Sequence, residues 1–360
     1  MDFNGAQLRL ARIFNGMTLE DVARRVDCTR QYIHKLEVNQ NAPTETLRAQ
    51  LAEILRVKPG FFCLPRVEVS EEQFHFRKLF STRTVLKQAA IARAELFGRL
   101  VNYLDDLLSL PKINIPTLEV TGVEDIERAA EFCRREWELG FGPIGHMTRL
   151  AENIGALVTS FPGVSTEIDA LSVALRRPII VRNDAKPGAC RQRFDIGHEI
   201  GHFVLHEGKI TGDRISESEA NRFASAFLVP RTMMGKLFPR PRGTRLDWKG
   251  LTEFKMTWKV SKAALLYRAR QLGLITDAQY RTGIIHLRCD GEANGEREDK
   301  LIPQEQPELL KRALELLAQR KGIYAGEIAD ALELREDSLA DLVRFDPPRA
   351  PKKPVLKLVS

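Results

Sequence analysis

The sequence predicts a mainly α-helical protein with a small β-sheet, an α+β chain built from several modules. Three observations carry this. Apolar residues recur at helical spacing along most of the 360 residues. Thr or Ser stands just before several of these runs, where helix N-caps belong. Only two short runs, Ala156-Leu157-Val158-Thr159 and Ala174 to Arg182, read as strands. The length suits two or three domains with ample core.

Residues 1–65 read as a set of short helices. Gly5 to Phe14 carries Ala6, Leu8, Leu10, Ala11 and Ile13. Thr18 caps Leu19 to Val26, with Glu20 and Asp21 in the first turn. Asp27-Cys28 makes the turn, Thr29 caps a helix through Glu37, and Thr44 caps Glu45 to Leu55. Lys58-Pro59-Gly60 ends the unit. The run Thr18-Leu19-Glu20-Asp21-Val22-Ala23, followed by Thr29-Arg30-Gln31-Tyr32-Ile33-His34-Lys35-Leu36-Glu37, resembles the Xre/Cro-type helix-turn-helix, with Asp27 where Gly is more usual. The resemblance implies that the third helix enters a DNA major groove behind Thr29. Arg30 and Gln31 have donors suited to guanine and adenine edges, His34 can also reach a base, and Lys35 suits a phosphate. Paired half-sites in a DNA operator imply a homodimer. Nine basic against seven acidic side chains give this segment a weak field of its own. A helical protein-interaction module is the competing reading.

Residues 66–120 read as a helical linker. Phe74-His75-Phe76-Arg77-Lys78 alternates aromatic with polar residues, which fits packing under the linker better than base stacking. Thr84 to Leu110 is one long amphipathic helix with Ala89, Ala90, Ala92, Leu96, Leu100, Leu104 and Leu107 on or near one side. That face suits core or a dimer contact, and Pro111 and Pro116 stop the helix.

The stretch that bears chemistry lies in residues 121–240. Arg193-Phe194 leads into His198-Glu199-Ile200-Gly201-His202. On a helix, His198 and His202 share one face and can meet at one ion. Glu199 is turned about 100° from His198, so it can reach a water at that ion without being a ligand. This is the H-E-x-x-H pattern of zinc peptidases, with the Glu as general base. A third ligand is wanted shortly afterwards, because two His and a carboxylate complete a catalytic zinc shell and leave one position open. Glu217 and Glu219 are the candidates. Ser216 and Glu219 have capping-box spacing. Glu217 would sit in a first turn, where a carboxylate also complements the helix dipole. Asn221, one turn on, can orient Glu217. His206, one turn beyond His202, can be an oxyanion donor, a residue behind the ligands, or the helix end.

These two stretches, His198 to His202 and Glu217-x-x-Ala220-Asn221-x-Phe223-Ala224-x-x-x-Leu228-x-Pro230, resemble the ImmA/IrrE family of metallopeptidases over roughly residues 120–290. The resemblance implies that Glu217, not Glu219, is the third zinc ligand. It also implies cleavage of a transcriptional repressor or antitoxin-type protein in response to stress or mobile-element signals. Zn2+ is the expected ion, with another divalent metal such as Mn2+ as the alternative. Pro178 suggests an edge position for the strand at 174–182, and an edge strand beside a metal cleft can bind peptide by strand addition.

Residues 231–288 hold thirteen Lys or Arg against three acids. Within residues 241–288, Leu251 to Trp258 and Lys262 to Leu272 look like a second helix-turn-helix. Lys262, Arg268 and Arg270 are then candidates for phosphate or an acidic partner. Cys289 to Glu308 reads as an acidic linker, residues 300–345 as a C-terminal helical module for docking or dimerisation, and residues 346–360 as a Pro- and Lys-rich disordered tail. The net charge of +7 suits nucleic acid. The five cysteines are scattered, with no C-x-x-C, and read as reduced thiols of a cytoplasmic protein. No apolar run approaches the ~20 residues that span a bilayer, so no membrane partner is expected.

Overall fold

A computed structural model describes residues 2–65, 74–76, 84–161, 170–183 and 188–351. The N-terminal part contains α1 (Gly5–Phe14), α2 (Leu19–Arg25), α3 (Arg30–Glu37), α4 (Glu45–Ile54), the strand β1 (Phe74–Phe76) and α5 (Thr84–Leu107). Then come α6 (Val123–Glu136), α7 (Met147–Asn153), β2 (Leu157–Ser160), β3 (Ala170–Ala174) and β4 (Pro178–Arg182). They are followed by α8 (Ala189–Leu205), α9 (Arg214–Leu228), α10 (Arg231–Leu237), α11 (Trp248–Trp258), α12 (Lys262–Gln271) and α13 (Asp277–Cys289). The last helices are α14 (Leu309–Lys321), α15 (Ala325–Ala331) and α16 (Glu336–Val343). The fold is mainly helical with one small sheet, as the periodicity predicts. Arg77 and Lys78 of the aromatic-basic run, and residues 352–360 of the tail, lie outside the described residues.

The chain divides into two compact units, one made of residues 1–69, 83–110 and 308–360, the other of 70–82 and 111–307. In the first unit, α1 to α4 bury Leu8, Ala11, Val22, Ile33, Leu36, Leu51 and Leu55. Thr18, Thr29 and Thr44 cap their helices as expected, each accepting a backbone N–H. Asp27 has φ 53°, the left-handed turn that Gly usually makes in this motif. Arg12 clamps the buried Glu37 with two hydrogen bonds of 2.5 and 3.1 Å.

The C-terminal helices close this same unit. Val57 bridges Leu334, and Arg56 reaches Asp337 at 2.8 Å and Asp341 at 2.6 Å. Ser338 donates to the Arg56 carbonyl at 2.6 Å, and Arg335 pairs with Glu53. The long helix α5 also belongs here: Arg99 donates to Glu95 at 2.7 Å and to the Gln7 side-chain oxygen Oε1 at 2.8 Å.

The second unit is built on a four-stranded sheet of order β1-β3-β4-β2. The run read as one strand, Ala174 to Arg182, is a strand only from Pro178, as β4; Ala174 ends β3 and residues 175–177 bend between them. β3 pairs antiparallel with β4 from Ala170↔Arg182 to Ala174↔Pro178. β4 also pairs in parallel with β2, from Leu157↔Ile179 to Ser160↔Arg182. The edge position inferred from Pro178 is therefore wrong for β4, which is interior. Pro178 is tolerated because it opens the strand.

Helices α6 to α9 pack around the sheet with a core of Ile126, Ala130, Met147, Ala151, Val158, Ile180, Ile196, Ile200, Phe223 and Phe227. Arg268 of α12 donates to both oxygens of Glu127 on α6, at 2.5 and 2.6 Å. Arg222 of α9 meets the same carboxylate at 3.1 Å.

The cations offered to phosphate in the last third are neutralised within the chain. Lys262 pairs with Glu292 at 2.6 Å and Glu298 at 3.1 Å, Arg268 is buried on Glu127, and Arg270 pairs with Asp277. Lys255 is fully buried against Glu296 and Asp299, at 2.7 and 2.6 Å. The acids come largely from residues 292–299, so the stretch read as a linker is an acidic clasp on α11 and α12. Further along, Glu305 pairs with the buried Arg193 and accepts the Thr148 N–H at 2.8 Å.

Candidate metal centre

Seventeen residues of α8 run under the sheet, and nearly all of them are buried. Gly197 and Gly201 let α9 come close. A Cβ on Gly201 would stand 3.1 Å from the Phe223 ring and 3.3 Å from the Ala220 backbone. Larger residues there would hold the two helices apart. This close approach brings Glu217, in the first turn of α9, over the His198–His202 face of α8.

His198, His202 and Glu217 are the group of metal-competent side chains in the described residues. The two Nε2 atoms are 3.0 Å apart. Glu217 lies 3.4 Å from His198 Nε2 through one oxygen and 3.3 Å from His202 Nε2 through the other. Bonds of ~2.0–2.1 Å at tetrahedral angles place ligand atoms roughly 3.3 Å apart, so the three donors fit a zinc ion. Burial pushes the Glu217 carboxyl up, but before an ion is bound the two imidazoles facing it more than offset this and hold the pKa at about 2. The carboxylate thus favours its anionic, ligating form.

Behind the imidazoles stand partners that fix which nitrogen faces the centre. Asn221 Oδ1 is 3.1 Å from His198 Nδ1. An N–H there donates to the amide oxygen and leaves Nε2 with its lone pair inward. His202 Nδ1 faces His206 Nδ1 at 3.0 Å, and His206 Nε2 faces Glu219 Oε2 at 2.9 Å. Glu219 is an acceptor, so His206 carries its proton on Nε2 and accepts at Nδ1. His202 then donates from Nδ1 and presents Nε2 to the centre. Asn221 thus stands behind His198.

Glu219 is not the capping residue that its spacing from Ser216 suggests. Asp213 caps α9, accepting from the Ile215 and Ser216 N–H groups, and Ser216 lies inside the helix. Glu219 is free to turn towards His206, which ends α8. No spacing rule announces that pairing, because the partners lie on different helices.

Glu199 stays out of the ligand set. It is buried, and it accepts a hydrogen bond from the Ser172 hydroxyl on β3. Ser172 gives no signal in the sequence. The sequence reading missed it for that reason.

In the N-terminal unit, Thr29, Arg30, Gln31, His34 and Lys35 are all exposed on α3 or at its cap, while Ile33 and Leu36 face the core. The residues chosen for DNA thus sit together on one solvent-facing side.

Comparison with known proteins covers both regions. Residues 151–270 match the peptidase family model described as the IrrE N-terminal-like domain, and residues 8–62 match the model described as helix-turn-helix. No curated protein and no solved structure matches the chain. The metal-competent cluster and Ser172 fall inside the first match, and the exposed face of α3 inside the second. The chain thus carries, after an N-terminal region similar to a helix-turn-helix, a region similar to the IrrE N-terminal-like peptidase domain.

Proposed function

We propose that the protein is a DNA-binding regulator fused to a zinc-dependent endopeptidase. The peptidase cleaves a repressor or antitoxin-type protein, in trans or within its own chain, in response to stress or a mobile-element signal. One observation carries the reading: two imidazoles and a carboxylate converge from α8 and α9, while Glu199 stands beside them in the grip of Ser172. A purely structural metal site has no use for such a carboxylate.

His198, His202 and Glu217 hold the ion, and Glu199 is the catalytic residue. When bound, Zn2+ supplies a Lewis acid for the scissile carbonyl and brings a water within reach of deprotonation near pH 7. Glu199 accepts the proton of the attacking water and delivers it to the nitrogen of the leaving amine. The Ser172 hydroxyl orients that carboxylate. Asn221, and the His206–Glu219 pair, keep the two imidazoles turned inward. Mn2+ fits the same N and O donors as an alternative.

In the N-terminal domain, Arg30, Gln31 and His34 read base edges behind the Thr29 cap, and Lys35 holds phosphate. A homodimer on paired half-sites of an operator follows from that mode of binding. The five cysteines form no disulfide, which fits the cytoplasm. No described helix is long and apolar enough to cross a membrane.

The test compares wild type with Glu199→Gln, with metal content measured in both. Cleavage lost with zinc retained supports the peptidase. Unchanged biological activity in the variant supports a non-enzymatic repressor or antitoxin that uses this domain to sense a signal or bind a partner.

A further inference from the structure

The sheet places one strand where the local chain does not require it. β3 uses one edge for β4. Its other edge is covered by β1, three residues from far earlier in the chain, paired antiparallel as Phe74↔Val173, His75↔Ser172 and Phe76↔Leu171. Residues 1–69 and 83–110 both belong to the first unit, yet the intervening 70–82 belongs to the second. The chain thus leaves one unit, lays a strand on the sheet of the other, and returns.

The register of that strand matters. Ser172, the residue opposite His75, donates its hydroxyl to Glu199. A peptide along this edge of β3 therefore runs past the general base, and the residue level with it is His75. Extended peptides bind to sheet edges through main-chain hydrogen bonds of this kind. β1 is also short. Its three described residues make few ladder bonds, and so short a pairing is weak by itself.

We infer that the outer edge of β3 is the groove for the peptide substrate, and that residues 74–76 are its resident occupant, the enzyme's own chain bound as substrate. This rests on the peptidase reading above. The scissile amide is one of those flanking His75. Hydrolysis adds one water: its oxygen goes to the carbonyl carbon, the C–N bond breaks, and a proton reaches the nitrogen. A new carboxylate and a new amine result, and no other reactant is needed.

Two measurements on the full chain test the assignment. The first uses zinc-loaded Glu199→Gln protein, which keeps the strand uncut, and follows backbone hydrogen exchange. His75→Pro removes a strand amide and is expected to speed exchange in 170–174 at least about tenfold, with a synthetic peptide of residues 70–82 restoring protection. Unchanged exchange overturns the groove.

The second uses zinc-loaded wild type and mass spectrometry under denaturing conditions. Two fragments from a cut beside His75, together heavier than the chain by one water and absent in Glu199→Gln, support the self-substrate. An uncut wild type overturns it. If that chain or its His75→Pro variant still cuts a second protein in a Glu199-dependent way, the self-substrate alone has failed. If zinc is bound and no cleavage of any protein depends on Glu199, the peptidase reading has failed as well.

Discussion

Replacing Glu127 by Gln removes a negative charge from the junction of α6, α9 and α12 while keeping its shape. Glu127 and Arg268 are both 1% exposed. The carboxylate receives two bonds from Arg268 and one from Arg222. The amide retains one acceptor and turns an NH2 towards guanidinium N–H groups. At least one bond loses its acceptor and the others lose the charge that strengthened them, a bond to a charged group contributing about 1.5–3 kcal/mol. Breaking a buried pair by removing one partner costs ~3–5 kcal/mol, which sets the expected loss. The assay is urea unfolding followed by tryptophan fluorescence. Trp137, Trp248 and Trp258 are the chain's three tryptophans and all lie in the second unit, so the signal reports that unit alone. The midpoint is expected to fall by roughly 1–2 M at a slope near 3 kcal/mol/M. Glu127→Leu combined with Arg268→Met should recover much of the loss, because no buried charge remains opposite an apolar group. Arg222, 15% exposed, can turn to water. A Glu127→Gln midpoint within about 0.2 M of wild type refutes the reasoning.

Other expectations concern the site and its setting. Asn221→Ala and His206→Ala should each weaken zinc binding about 10–100-fold, measured by competition with a chelator; unchanged affinity would show that the imidazoles need no support. Gly201→Leu should push α9 from α8, destabilise the chain by about 1–3 kcal/mol in the urea assay and lower zinc affinity, while an exposed glycine such as Gly235 tolerates the same change. For Glu298, burial raises the pKa but hydrogen bonds to Lys262 and Lys255 bring it below the ordinary carboxylate value. Its folded pKa is depressed, so its stabilisation is present above the unfolded value and lost as pH falls through the folded one; an acid titration followed by tryptophan fluorescence should flatten in Lys262→Met. Arg30→Ala should relax base preference at one operator position, and Lys35→Ala should weaken binding evenly and reduce its salt dependence, both read by mobility shift.

Much of the helical framework is legible in the sequence, because N-caps and apolar spacing are local properties. Thr18, Thr29 and Thr44 start their helices where the pattern says. The imidazole pair is legible for the same reason, since a four-residue spacing on one helix is a geometric statement. What failed depends on tertiary partners. Ser216 and Glu219 have the letters of a capping box, but Asp213 caps the helix and Glu219 pairs with His206. Lys262 and Arg268 look like a solvated basic face until the acids from Glu292 to Asp299, and Glu127, are folded onto them. Ala174 to Arg182 has strand composition throughout, yet a bend at residues 175–177 splits it, leaving Ala174 at the end of β3 and Pro178 to Arg182 as the interior strand β4.

The way the first unit is sewn shapes what a cut at His75 can do. Residues 1–65, α5 and the C-terminal helices come from three separate stretches of chain, stitched by Arg56 to Asp337 and Asp341, by Val57 to Leu334 and by Arg99 to Gln7. A nick in 74–76 therefore severs a tether without shedding a domain. The helix-turn-helix stays clasped by the far end of the same polypeptide, and the two pieces are expected to migrate as one particle until a denaturant parts them. Scission here loosens a leash instead of amputating a limb.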